Sequence, residues 1–119
     1  MRGARRLWSV GLALLAAVTA VHAIRCTAVT PDAPKTIEVT IEGITFGSIA
    51  GPVKVGDTIE WINKDPVDHT ATDKAGAWEV VIPAGQRARI LLRDVGTFEY
   101  YCSVGKHRQM GMKGNLIVE

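Results

Sequence analysis

Cys102, His107, Met110 and Met112 fall within one short segment, C-S-V-G-K-H-R-Q-M-G-M. Thiolate, imidazole and thioether together are the donors that suit copper cycling between Cu(I) and Cu(II), because soft sulfur favours the reduced ion and imidazole accepts both. A trigonal site of this kind needs a second imidazole. The chain has three histidines, His22, His69 and His107, and His22 lies in a leader-like segment, so His69 is the one available. Both methionines other than Met1 sit in the segment, and either could supply the thioether. Zinc is the rival metal, but a structural zinc site takes a further cysteine or histidine in preference to a thioether.

The elements that must position these groups read as strands. Thr36–Ile44 alternates Ile37, Val39 and Ile41 against Glu38, Thr40 and Glu42, the period of a strand with one buried face, with Gly43 at a bend and Phe46 as a core aromatic beyond it. Val53-Lys54-Val55 reads as a short strand, Gly56-Asp57 as a turn, and Thr58–Asn63 as a strand with Ile59 and Trp61 on one side. The loop 63–66 leads to His69, and His69–Thr72, Trp78–Ile82 and Arg87–Leu92 are further extended pieces separated by turn residues. Thr97–Cys102 puts Phe98, Tyr100 and Cys102 on one face, so the thiol is aimed at the interior. Asn115–Val118 supplies the last strand, with Leu116 and Val118 inward. No helical period appears beyond residue 23, and seven to eight short strands with Gly and Pro between them indicate an all-β, antiparallel Greek-key β-sandwich. In such a fold, loops distant in sequence meet at one end, which brings the 63–72 and 102–114 loops together.

Residues 1–23 read as a secretory signal: Arg2, Arg5 and Arg6, an apolar run from Leu7 to Val21, and Val21-His22-Ala23 as a cleavage site. The alternatives are an uncleaved membrane anchor facing the periplasm, although the apolar run is short for a span of ~20 residues, and twin-arginine export through Arg5-Arg6. Residues 24–34, with two prolines and no periodicity, form an arm or linker, and the folded domain spans 35–119. Without the three leader arginines, 11 Lys and Arg face 12 Asp and Glu, so the net charge drops from +2 to −1. That balance excludes a nucleic-acid binder. Cys26 falls outside any patterned segment. A Cys26–Cys102 disulfide would leave His107, Met110 and Met112 without a role, and Arg25 is a poor neighbour for lipid attachment at Cys26.

The pieces V-K-V-G-D-T-I-E-W-I-N-K-D, then His69, then G-T-F-E-Y-Y-C and M-K-G-N-L-I-V, in that order, resemble the cupredoxins, the small type 1 blue copper proteins of the plastocyanin, amicyanin, pseudoazurin and azurin kind. The resemblance covers nearly the whole of 35–119. It implies that His69, Cys102 and His107 bind copper in a plane and that a methionine is the weak axial ligand. Met112-Lys113-Gly114 matches the family pattern around that ligand, which leaves Met110 as a packing residue. Three departures stand out. Asp68 precedes the first histidine, where an uncharged residue is usual, and its charge would favour Cu(II) if it faced the site. The Cys102-to-His107 spacing is like azurin and the His107-to-Met112 spacing like plastocyanin. Val104-Gly105-Lys106 stands where the loop usually has a proline, which bears on its rigidity.

The function implied is a periplasmic one-electron carrier, with copper as the only cofactor. Its redox partner, a cytochrome or a copper or quinone enzyme, would dock near His107, where Lys106, Arg108 and Lys113 make a basic rim. Thr70 is a candidate to hydrogen-bond to the cysteine loop. The resemblance further implies a monomer with no small-molecule substrate. A copper-delivery protein without a redox partner is the second reading. An enzyme is not expected: multicopper enzymes need more histidines, and no acid/base pair or activated nucleophile stands out.

Overall fold

The computed structural model describes residues 11, 13, 16, 17 and 20–119. The leader expected over 1–23 falls largely outside the described residues. Among the described residues, no helix is long and apolar enough to cross a membrane. Pro31–Glu119 makes a compact unit by itself, built from seven strands: β1 (Thr36–Ile41), β2 (Thr58–Asn63), β3 (His69–Asp73), β4 (Glu79–Ile82), β5 (Arg87–Leu91), β6 (Gly96–Tyr101) and β7 (Lys113–Val118).

The strands form two sheets, ordered β1-β2-β5 and β4-β3-β6-β7. Alternation drives the layering: in β1, Val39 and Ile41 are buried while Thr36, Glu38 and Thr40 are exposed, and in β7 Leu116 and Val118 are buried while Asn115 and Ile117 face out. Ile41, Ile59, Trp61, Ile82 and Leu116 are fully buried between the layers, each contributing about 1.5–3 kcal/mol by leaving water. Trp61 packs on Trp78 and on the edge of Tyr100, and Phe46 meets Tyr100 edge-on.

The sandwich departs from the expected strand pattern in three places. β1 and β2 are parallel, with Ile37 opposite Ile59 and Val39 opposite Trp61, whereas the other ladders are antiparallel. The physical reason lies in their connection. It does not turn back as a hairpin but crosses to the other sheet, where Val53 makes a single parallel bridge to Val118. The strand expected at 53–55 is short: it consists of that bridge and the backbone bonds beside it, from the Glu119 N–H to the Val53 carbonyl at 2.8 Å and from the Val55 N–H to the Glu119 carbonyl at 3.2 Å. Third, β1 stops at Ile41 because Gly43 and Ile44 turn the chain with φ of 62° and 56°, outside the extended region.

Two registers place the site. β3 pairs with β6 so that Thr72 lies opposite Tyr101, which sets the start of β3 beside the residues just after β6. β6 pairs with β7 through Tyr101 and Lys113, and the next step of that ladder is the Cys102 N–H to the Met112 carbonyl, 3.1 Å. Tyr100 reaches over the neighbouring strand, and its ring fills the space where a side chain on Gly114 would lie.

Candidate metal centre

His69 opens β3, and Cys102 follows β6 by one residue, so two sheet neighbours carry these side chains to one end of the sandwich. His107 comes from the loop after Cys102. Its ligating atom, that of His69 and the Cys102 sulfur all lie within 4.8 Å of one another. The Cys102 Sγ is 3.7 Å from His69 Nδ1 and 3.4 Å from His107 Nδ1. The two imidazole rings are tilted by 54° with centroids 5.0 Å apart. His69 and Cys102 are wholly buried, and His107 is half-buried.

This donor set fits copper. A thiol has one proton and can donate to only one of two nitrogens, yet two Nδ1 atoms converge on the same sulfur. The three atoms are the corners of a trigonal site of the His2Cys kind. Bond lengths like those to a zinc ion, about 2.3 Å to sulfur and about 2.0 Å to nitrogen, opened to about 120°, would separate sulfur from nitrogen by about 3.7 Å. The 3.7 and 3.4 Å separations lie near that value.

The sulfur is also held from the protein side. The Thr70 N–H points at Sγ from 3.4 Å. The Thr70 hydroxyl bridges to the cysteine loop: it accepts the Ser103 N–H at 2.8 Å and lies 2.9 Å from the Ser103 hydroxyl. The loop itself is closed by backbone bonds. His107 N–H donates to the Val104 carbonyl at 3.1 Å, Met110 N–H to Lys106 at 3.0 Å, and Met112 N–H to the His107 carbonyl at 3.0 Å. Gly105 and Gly111 supply the left-handed corners, at φ of 50° and 95°. These bonds order the loop without the proline usual there.

The two methionines are not equivalent. Met112 is wholly buried and tied through its backbone to both Cys102 and His107. Met110 is 62% exposed, so the packing role expected for it is wrong: the turn at Arg108–Gly111 swings it to the surface. Arg108 stacks over the Tyr101 ring at 4.0 Å, and Lys106, Arg108 and Lys113 are all exposed around His107 and β7.

The sequence reading missed Asp65. Asp68, the carboxylate that drew attention, is exposed and accepts the Ala84 N–H at 2.9 Å, which ties its loop to the β4–β5 turn. It is Asp65, four residues before His69, whose Oδ2 lies 2.8 Å from His69 Nε2. Burial pushes the Asp65 carboxyl upward, but the Ile44 amide, His69 and the Gly43 amide together outweigh it and hold the group below the usual carboxylate range. The signal in the sequence was the i, i+4 spacing to a histidine in a loop, which is too common to single out.

Residues 34–119 match the family of copper binding proteins of the plastocyanin/azurin kind. No curated protein matches the chain by sequence. Among solved structures, a reduced variant of amicyanin is 27% identical with a TM-score of 0.56, covering 71% of this chain and 82% of that one. An oxidised variant of amicyanin is 26% identical with a TM-score of 0.57, over 70% and 81% of the two chains. A Cu(I) form of a further variant gives 26% and 0.57 over 77% and 88%.

Proposed function

This chain belongs to the plastocyanin/azurin family of copper-binding proteins, and from that premise we propose that it is a type 1 blue copper protein that carries single electrons between redox partners. The convergence of two imidazole Nδ1 atoms on one buried cysteine sulfur carries the reading. His69, Cys102 and His107 would hold the copper, with Met112 supplying a thioether as a further, weaker donor. Met112 is favoured over Met110 because it is buried and bonded to the backbone of two other ligand residues. Copper in such a set supplies a one-electron couple between Cu(II) and Cu(I).

The protein's part is to keep the donors still. Met112 and Thr70 fasten the ligand loop from its two sides, and burial of His69 and Cys102 excludes water. A site that moves little between oxidation states exchanges electrons quickly, and the Thr70 N–H on the sulfur tunes its potential. His107, half-buried, is the edge through which electrons leave. The basic rim of Lys106, Arg108 and Lys113 suits an acidic patch on a partner protein, such as a cytochrome or a copper or quinone enzyme, with weak and salt-dependent docking. The leader-like first segment supports a periplasmic protein, and the reading includes no substrate, no enzymatic step and a monomer.

Visible absorption of the copper-loaded protein tests the proposal. An intense thiolate-to-copper band that bleaches reversibly on reduction is expected, and a pale protein with bound copper would refute it. Ready loss of the metal to a competing chelator would favour delivery instead. Wholly buried His69 and Cys102 argue against so open a site.

A further inference from the structure

We propose that Asp65 is the positioning residue of the metal centre: it fixes which nitrogen of His69 faces the metal and biases the site toward Cu(II), and the left-handed Gly43–Ile44 turn is the cradle that holds its carboxylate. This rests on the copper reading above and deepens it.

The Asp65 carboxylate has three partners. Oδ1 accepts the Gly43 N–H at 2.7 Å, and Oδ2 accepts the Ile44 N–H at 2.8 Å while facing His69 Nε2 at 2.8 Å. The side chain of Asp65 is 9% exposed and that of His69 is fully buried. Because a carboxylate only accepts, Nε2 must carry the proton, which leaves the Nδ1 lone pair aimed into the site at the Cys102 sulfur.

The cradle is a specific piece of backbone. Successive amides in a left-handed turn form a concave anion site, and both amides of this one point at the same carboxylate. Ile44 is the only non-glycine residue among those described with a positive φ, 56°, and a β-branched side chain strongly disfavours that region. Such strain persists where the surroundings over-determine it. At Gly43 a side chain would meet nothing within 4 Å, so glycine is required for its backbone angle and not for space. The far side of Asp65 is fixed as well. Its N–H donates to Asn63 Oδ1 at 2.9 Å, and the Asn63 amide donates to the Val67 carbonyl at 2.8 Å and the Ile82 carbonyl at 3.0 Å. A chain of buried bonds thus runs from the end of β2 through Asp65 to the first ligand.

The charge balance sets the direction of the bias. With the Cys102 thiolate and the Asp65 carboxylate both present, an oxidised site is neutral and a reduced one carries an excess negative charge in a buried place. The carboxylate also makes the imidazole of His69 a stronger donor. Both effects favour Cu(II) and lower the potential.

Nitrogen-15 NMR of the copper-free wild-type protein and of Asp65→Asn, with voltammetry of both after copper loading, tests the proposal. The wild type should show His69 as the Nε2–H tautomer with a slowly exchanging, hydrogen-bonded proton, and in the variant that proton should exchange faster, because a neutral amide oxygen is a weaker acceptor than a carboxylate. Losing such a partner costs about 10–100-fold in metal affinity; borne by Cu(II), that loss lowers the preference for Cu(II) over Cu(I) by the same factor, a rise in potential of about 59–118 mV. A variant that loses stability but changes its preference by less than threefold would make Asp65 merely structural and overturn the proposal. An Nδ1–H tautomer or a freely exchanging Nε2–H in the wild type would overturn it without any variant, even if Asp65→Asn fails to fold. A wild type with the expected tautomer but no thiolate band would overturn the bias together with the copper reading, while leaving the His69–Asp65 pairing intact.

Discussion

Thr70→Val removes the hydroxyl that fastens the ligand loop to β3 while keeping the shape of the side chain. Thr70 is buried, and its Oγ1 accepts the Ser103 N–H at 2.8 Å and also lies 2.9 Å from Ser103 Oγ and 3.0 Å from Thr72 Oγ1. Ser103 is exposed, so its own hydroxyl can turn to water. The Ser103 backbone N–H cannot turn, and an orphaned donor costs about 1–3 kcal/mol. A loss of about 2 kcal/mol in a domain of this size lowers Tm by about 8–16 °C. Calorimetry on the copper-free protein measures it, with Thr70→Ser as the control that keeps the oxygen and should recover most of the loss. The bond from Thr70 to the Cys102 sulfur is made by the backbone N–H, so the copper-loaded variant should keep the energy of its thiolate band while releasing metal sooner. A Tm lowered by less than about 2 °C, or a strongly displaced band in an otherwise stable variant, would refute the division of labour between hydroxyl and amide.

The two methionines should separate cleanly. Met112→Leu should shift the reduction potential, whereas Met110→Leu, at a side chain 62% exposed, should leave the potential unchanged and stability within about 0.5 kcal/mol; the reverse result in voltammetry would move the axial ligand to Met110. Gly114→Ala forces a methyl into the space held by the Tyr100 ring and should cost about 1–3 kcal/mol in denaturant unfolding, with no loss if the ring can swing aside freely. Asp57 is held below its ordinary 3.8 by the amides of Lys35 and Lys54. A lowered folded value means its contribution is fully present above the unfolded pKa and is lost as pH falls through the folded one. The stability gap between wild type and Asp57→Asn should therefore be constant near neutrality and close in acid; a gap that widens in acid would contradict the assignment.

Much of this architecture was open to reading because period-two patterning is a local property. Thr58–Asn63 could be bounded from sequence alone, since the strand is flanked by Gly56-Asp57 and by the 64–66 turn, and one face carries Ile59 and Trp61. The aim of Cys102 followed from its parity with Phe98 and Tyr100, and its burial agrees. The parallel pairing of β1 with β2 was not open to reading, because alternation says which face of a strand is buried and nothing about its neighbour or direction. Nor was the shortness of the Val53 segment, whose apolar spacing would serve a longer strand equally well but which pairs only with the end of the chain, through the bridge to Val118 and the backbone bonds to Glu119.

The site divides along the same line. Residue types and counts determined the chemistry: one buried-face cysteine, two histidines beyond the leader and two late methionines allow a single His2Cys set with a thioether. Tertiary structure decided what surrounds it. The loop turn separated an exposed Met110 from a buried Met112, two residues apart and identical in type. The choice between Asp65 and Asp68 as the carboxylate at His69 depended on the Gly43–Ile44 turn, which comes from a different part of the chain and meets Asp65 only in the folded protein. Ligand identity is carried by side-chain chemistry and so is written locally, whereas charge, tautomer and solvent access at the ligands depend on which distant backbone groups fold against them.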